Sequence, residues 1–215
     1  GLLELGTFLA IVGGTIGGGW LFEIFKGSHV WTGVILVALA MLGTGLSLGI
    51  DRVPAADPAK QWRVNFLADL GSQLRTIRRD RVLTLAVFGN TYFFFLAALI
   101  QQYAIYAYGK DLLQLSEGQI TSYLMSAIAI GIGVGSLAAG YLSGNKIEYG
   151  LIPLGSLGMT AFGAFLAQPG RELTGVIVGL VLYGFFAGFF IVPIAALIQH
   201  RPDGKEKGAV IAASN

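Results

Sequence analysis

Residues 51–81 read DRVPAADPAKQWRVNFLADLGSQLRTIRRDR, and this polar stretch separates two groups of long apolar segments. It carries seven of the fourteen Lys and Arg residues of the chain. The apolar segments comprise residues 2–25, 30–50, 82–105, 120–142, 151–167 and 173–197. Each is close to the ~20 residues with which a helix crosses ~30 Å of hydrocarbon. The pattern predicts an all-α integral membrane protein with six transmembrane helices.

The remaining basic residues indicate how these helices are oriented. Together with residues 51–81, the alternate gaps near Lys146 and residues 201–207 hold eleven of the fourteen Lys and Arg residues. The other gaps hold Lys26, Lys110 and Arg171. Because loops rich in Lys and Arg stay in the cytoplasm, we expect the linker 51–81 and the loops near 146 and 201–207 to be cytoplasmic. The pattern predicts multi-pass insertion in a membrane.

Composition excludes several classes of function. The chain is 54% hydrophobic and 12% charged, about half the charged fraction of a soluble domain. A formal net charge of +2 predicts no nucleic-acid partner. With no Cys, no Ser/His/Asp set and no phosphate-binding loop, we expect neither an enzyme, a metal site nor a cofactor. An integral-membrane acyltransferase would need a His and an acid close together, and His200 with Asp203 is the nearest such pair.

The linker has a helical pattern of its own. Asp57 and Pro58 suit the start of a helix. An apolar stripe follows, opposed by arginines; the stripe is Phe66, Leu67, Leu70, Leu74 and Ile77. Such an amphipathic helix either lies on an anionic leaflet or packs on the protein, and the sequence leaves both alternatives open. The chain begins within one apolar run and ends as a seventh begins near residue 209, which predicts a fragment of a longer, transporter-sized protein.

Small residues recur at four-residue spacing in two of the predicted spans. The first span holds Gly13, Gly14, Gly17 and Gly18, and the fourth holds Gly131, Gly135 and Gly140. This spacing lets helix backbones approach closely, either as static packing or as an interface that slides between two moving halves. Pro193 lies inside the sixth span, where it predicts a kink that either shapes the helix or acts as a hinge.

Ionisable residues are scarce within the spans, so neutral polar residues are the candidates for a substrate path. They are Asn90, Tyr92, Gln101, Gln102 and Tyr183. Because Asn90 and Gln101 are eleven residues apart, about three turns, we expect them to share one helix face. Interhelical hydrogen bonds explain any one residue, whereas a water-filled cavity explains the stripe. Glu4 is a candidate for coupling to substrate or protons, or for an ion pair at a helix end.

Two motifs carry a resemblance to a known family. Residues 13–18, GGTIGG, look like the helix-five motif of the major facilitator superfamily with Gly14 in place of its proline, and residues 140–146, GYLSGNK, are similar to its loop motif without the Asp. The resemblance implies that residues 1–50 are the last two helices of the N-terminal bundle and 51–81 the linker. Residues 82–215 would be four helices and the start of a fifth in the C-terminal bundle.

The segment 184–201, GFFAGFFIVPIAALIQHR, resembles the lysophospholipid transporter family. This implies movement of lysophospholipid, especially lysophosphatidylethanolamine, from the outer to the inner leaflet of the bacterial inner membrane by alternating access, in support of reacylation. Members of that family occur alone or fused to acyltransferase and acyl-acyl-carrier-protein ligase domains. Phe94 and Phe186 would then belong to an aromatic wall for the acyl chain. The alternative is a general superfamily exporter of drugs or other amphipathic solutes.

Overall fold

The computed structural model describes residues 2–25, 28–51, 54, 66–144, 146–168, 170–204 and 206–214. Every regular element in those ranges is helical. The helices are α1 (Leu2–Ile24), α2 (His29–Ser47), α3 (Phe66–Arg79), α4 (Arg81–Leu99), α5 (Glu117–Gln119), α6 (Ser126–Ser143), α7 (Leu151–Leu166), α8 (Leu173–His200) and α9 (Lys207–Ser214).

Two of the helices are extended by wider, π-helical turns. α4 continues through Ile100–Ile105 and Tyr108–Leu112. α5 starts at a capping box, in which the Ser116 side chain accepts from the Gln119 N–H and the Gln119 side chain accepts from the Ser116 N–H. Wide turns over Ile120–Met125 then lead into α6. The helical segment from α5 to α6 therefore rises as one long element.

The predicted spans all contain helices. By length and composition, four helical segments of the described chain can cross a membrane: His29–Ser47, Arg81–Leu99, Glu117–Ser143 and Leu173–His200. α1 has 23 residues, and α7 is apolar but shorter at 16 residues. The predicted all-α architecture is confirmed.

α6 and α8 meet along a glycine seam, formed by Gly131, Gly135, Gly184 and Gly188. A Cβ added to Gly131 would lie 2.1 Å from the Val181 carbonyl oxygen, and one on Gly135 would lie 2.0 Å from the Phe185 carbonyl oxygen. From the α8 side, a Cβ on Gly184 would lie 2.3 Å from the Ile128 oxygen. Backbone therefore touches backbone, which only glycine permits at these distances.

α8 is packed on its other side by α7. A Cβ on Gly155 would lie 2.6 Å from the Phe190 backbone nitrogen, and one on Gly158 would lie 2.0 Å from the Phe186 ring. α8 remains helical through Pro193, a fully buried residue. α8 is thus the central helix of the second group of helices. The hinge function of Pro193 stays a prediction.

The glycines of α1 show a different environment. An added Cβ at Gly13, Gly14, Gly17 or Gly18 would have no atom of the described structure within 4 Å. α1 runs beside α6 and its preceding wide turns, and a Cβ added to Gly19 would lie 3.9 Å from Ser122 Oγ. Gly140 lies half-buried near the end of α6. A sliding interface at these α1 glycines stays a prediction.

The linker helix α3 is docked at what we call the basic end, where the α3–α4 junction, the α6–α7 loop and the α8–α9 loop meet. Ile77 is 3% exposed and belongs to a buried cluster with Leu83, Ile198 and Val210. Arginines opposite Ile77 are exposed, namely Arg75, Arg78 and Arg79. Of the two alternatives for this helix, packing on the protein is the one that its described end adopts. The predicted start at Asp57 and Pro58 lies outside the described residues.

Asp80 joins two of the connections at the basic end. One of its carboxylate oxygens accepts from the backbone N–H groups of Val82 (2.9 Å) and Leu83 (3.3 Å), capping α4. The other accepts from Arg201 Nε, which comes from the far end of α8. Tyr149, from the α6–α7 loop, also hydrogen-bonds Arg201. We call this set the Asp80 clip.

The glycine seam yields a first prediction. Gly135→Ala should lower the thermal unfolding midpoint of the protein in detergent, because the Phe185 carbonyl must move to admit the methyl group, at a cost of about 1–3 kcal/mol. Gly133→Ala is the matched control, since its Cβ would have no atom within 4 Å. Equal unfolding midpoints for the two variants would contradict the seam.

The Asp80 clip yields a second prediction. The Arg201 guanidinium, helped by two backbone N–H groups, holds the pKa of Asp80 below its ordinary value of 3.8. The stability that ionised Asp80 contributes to the fold is therefore fully present above pH 3.8, and it is lost as pH falls through the lowered pKa. Asp80→Asn keeps a capping oxygen and removes the charge, whereas Asp80→Ala removes both.

We expect the unfolding midpoint at neutral pH to fall more for Asp80→Ala than for Asp80→Asn, since losing an N-cap costs about 1 kcal/mol and an exposed ion pair less. The difference in unfolding midpoint between wild type and Asp80→Asn should shrink only below pH 3.8. If the two midpoints already converge between neutral and mildly acidic pH, the ion pair of Asp80 with Arg201 is not the source of the difference.

Candidate functional site

A cavity of about 800 Å³ lies between α1, α4, α6, α7 and α8. Its volume falls within the range of ~300–1,000 Å³ typical of ligand pockets. The α4 residues that line it all lie between Tyr92 and Tyr106, in the half of that helix and its wide turns remote from the basic end. The cavity thus occupies the centre of the molecule and the half remote from the basic end. We call the end of that half, with the wide turns after α4 and the start of α5, the opposite end.

Aromatic rings form the cavity wall nearest the basic end. Phe93 of α4 and Phe190 of α8 stack with their ring centroids 5.8 Å apart, and both rings line the cavity. Phe190 also packs against the buried cluster that holds Ile77. The cavity is therefore separated from the basic end by stacked rings backed by a hydrophobic core.

The cavity lining, as far as the structure describes it, contains neutral polar groups and no charged side chain. The polar members are Thr15, Tyr92, Gln101, Tyr106, Thr121, Ser156, Thr160 and Tyr183. Several hydroxyls already donate to their own helix, as Thr121 does to the Glu117 carbonyl at 3.0 Å. The remaining lining is mostly aliphatic and aromatic, so a ligand would meet an apolar chamber with a few hydrogen-bonding groups.

At the opposite end, one lining residue reaches a charged partner. The Glu117 carboxylate beside the Tyr106 hydroxyl is the main reason that the pKa of Tyr106 is raised. Tyr106 lies between the two stretches of wide turns that extend α4, and Glu117 begins α5. The two extended helices therefore approach each other beside the cavity.

The structure brings four of the predicted path residues together. Tyr92, Phe94 and Gln101 of the α4 segment and Tyr183 of α8 all line the cavity. The side chains of Gln101 and Tyr183 make no hydrogen bond to any residue that the structure describes, so their polar groups remain available to a ligand.

Other predicted residues lie elsewhere. Asn90 is 8% exposed and outside the lining. Because the helix widens at Ile100, Gln101 does not follow Asn90 at α-helical spacing. The Phe186 ring stacks on Phe162 at 5.8 Å instead of facing the cavity. The side chains of Gln102 and Glu4 lie outside the described residues. The roles of all four in a path stay predictions.

Sequence reasoning missed the polar residues of α7. Ser156 and Thr160 line the cavity and are four residues apart, so they share a helix face. Each is a small hydroxyl residue in an otherwise apolar helix, which sequence alone does not distinguish from a residue that bonds its own backbone. Their spacing was the available signal.

Comparison with known proteins bears on this cavity. The model of the Major Facilitator Superfamily matches residues 1–215. The chain belongs to the major facilitator superfamily. With its apolar helices, this makes it a multi-pass membrane protein.

Individual relatives agree with the superfamily match. The chain is 32% identical over 203 residues to the lysophospholipid transporter LplT of Klebsiella pneumoniae (strain 342), covering 94% of this chain and 49% of that protein. It is 30% identical to LplT of Cronobacter sakazakii, with the same coverage, and 29% identical over 220 residues to LplT of Salmonella newport, covering 100% of this chain and 53% of that protein. The chain spans about half the length of these relatives, and no solved structure matches it.

Solvent access gives a third prediction. In this Cys-free chain, Gln101→Cys should react with a membrane-impermeant thiol reagent added from the opposite end, because Gln101 is exposed and lines the cavity. Ser136→Cys is the control, since Ser136 is 3% exposed beside the glycine seam. Labelling of both positions, or of neither, would contradict a water-filled cavity at Gln101.

Proposed function

We propose that this protein is a lysophospholipid transporter of the bacterial inner membrane that works by alternating access. The observation that carries the proposal is the cavity, whose described lining holds no charged side chain, is mostly apolar and includes a few hydroxyl and amide groups. Similarity to three LplT proteins supports the choice of substrate class.

The cavity suits an amphipathic molecule with one acyl chain. The Phe93–Phe190 stack and the aliphatic residues Ile105, Ile128 and Ile132 offer a surface for hydrocarbon. Gln101 can donate to a phosphate, and hydroxyl oxygens can accept from an amine. A lysophosphatidylethanolamine head group contains both partners and is neutral overall, so it needs no charged side chain to balance it.

The proposed direction of transport is from the outer to the inner leaflet. The basic end, which by the positive-inside rule is cytoplasmic, is closed behind the cavity by the aromatic wall and the docked α3. The cavity then lies on the side from which an outer-leaflet substrate arrives. Delivery to the inner leaflet would supply reacylation by acyltransferase and acyl-acyl-carrier-protein ligase partners, fused or separate. Glu4 remains a candidate for coupling.

A general exporter of drugs or other amphipathic solutes is the second candidate. The same absence of charge in the described lining that suits a zwitterionic lipid also suits an uncharged, apolar drug. The two functions differ in substrate and in direction, so one transport assay separates them.

Transport in proteoliposomes of the full-length protein tests the proposal. Labelled lysophosphatidylethanolamine in one leaflet should cross faster than in protein-free vesicles, and Tyr183→Ala should slow it about tenfold by removing a cavity side chain. Tyr141→Ala is the matched control, because Tyr141 is 88% exposed and remote from the cavity. Movement of labelled drug without movement of lysophospholipid would favour the exporter.

A further inference from the structure

We propose that Ser156, Thr160 and Tyr183 form an ammonium subsite in the cavity, which recognises a head group through its N–H bonds. This rests on the proposed function, because it assigns the part of the cavity that holds the amine of a lysophospholipid.

Both α7 hydroxyls already donate their protons to backbone carbonyls of the same helix. Ser156 Oγ donates to the Pro153 carbonyl at 2.9 Å, and Thr160 Oγ1 donates to the Ser156 carbonyl at 2.8 Å. A hydroxyl has one donor and two acceptor lone pairs, so what each oxygen still offers the cavity is lone pairs. At four-residue spacing the two side chains are neighbours on one helix face. They present a pair of acceptors and cannot donate without breaking a bond to the helix.

Tyr183 places a third oxygen on the cavity wall, beside the next turn of α7. Its ring lies beside Gly163, where an added Cβ would be 3.7 Å from Tyr183 Cε2, and Gly163 follows Thr160 by one turn of α7. The tyrosine lines the cavity and makes no hydrogen bond to a described residue. An ammonium group has three donors, and three oxygens on two adjacent helices match that number.

The absence of a carboxylate from the described lining defines the type of recognition. An isolated ammonium would lose its hydration here without a counter-charge, at a high cost. A phosphoethanolamine brings its own phosphate, so the protein need only supply acceptors. Aromatic residues such as Tyr92 and Phe94 offer the competing mode, in which ring faces attract a methylated ammonium. The two modes predict opposite responses to N-methylation.

Competition binding to the full-length protein in lipid nanodiscs tests this subsite. Lysophosphatidylethanolamine and its N-monomethyl, N-dimethyl and N-trimethyl analogues compete with a labelled lysophosphatidylethanolamine. In wild type, affinity should fall along the series, by about tenfold or more in all, since each methyl removes one charge-assisted hydrogen bond. In the variant Ser156→Ala/Thr160→Val, affinity should fall less along the series than in wild type, because only the Tyr183 oxygen of the subsite remains.

Thr44→Val is a matched control, because it removes the same kind of hydroxyl at a position outside the cavity lining. Thr44 of α2 donates to the Ala40 carbonyl at 2.9 Å in the same pattern as Thr160, and it is not part of the cavity lining. Thr44→Val should therefore leave the methylation series as steep as in wild type. A thermal unfolding measurement on Ser156→Ala/Thr160→Val and on Thr44→Val checks that each variant is folded.

The outcomes are distinct. Affinity that is constant or rises with methylation in wild type would overturn the subsite in favour of aromatic recognition. A series that stays equally steep in Ser156→Ala/Thr160→Val would also overturn it, because the hydroxyls would not be the acceptors. Failure of folded wild-type protein to bind any of the four lysolipids would refute the proposed function itself, and the subsite with it.

Discussion

The backbone contact between α6 and α8 is the constraint on which the rest of this structure depends. Lipid is as apolar as the helices, so association in a membrane rests on close packing instead of on expulsion of water. The glycine seam provides that packing, with Gly135 directly against the Phe185 carbonyl. Once the two backbones are in contact, the first half of α6 and the middle of α8 must face the same space, which becomes the cavity. α7, packed through Gly155 and Gly158, closes it from the other side of α8.

The contacts at the basic end assign α3 to one of the two groups of helices. Ile77 is buried with residues of α4, α8 and α9, and the Asp80 clip spans 121 residues of sequence. α3 is therefore part of the second group of helices.

Much of this architecture was predictable from sequence because it follows from local pattern. Apolar runs gave the spans, and the spacing of Gly131 and Gly135 gave one side of the seam. The other side was not predicted, since nothing in the sequence pairs those glycines with Gly184 and Gly188. The cavity was harder still: wide turns after Leu99 change which face Gln101 occupies. The acceptor role of Thr160 depends on a hydroxyl rotamer and a neighbouring helix, which a one-dimensional pattern does not contain.

The absence of charged side chains from the described lining also limits which ligands can use the cavity. Within a low-dielectric chamber an unpaired charge costs far more than a hydrogen bond returns. An ionic solute would need a counter-charge from the protein, which the described lining does not offer. A zwitterion carries that counter-charge in its own covalent structure and asks the protein only to satisfy donors and acceptors. The apolar wall around Phe93 and Phe190 then stabilises the part of the ligand that carries no charge at all. The chemistry of the lining and the amphipathic form of a lysolipid are thus two aspects of one electrostatic constraint.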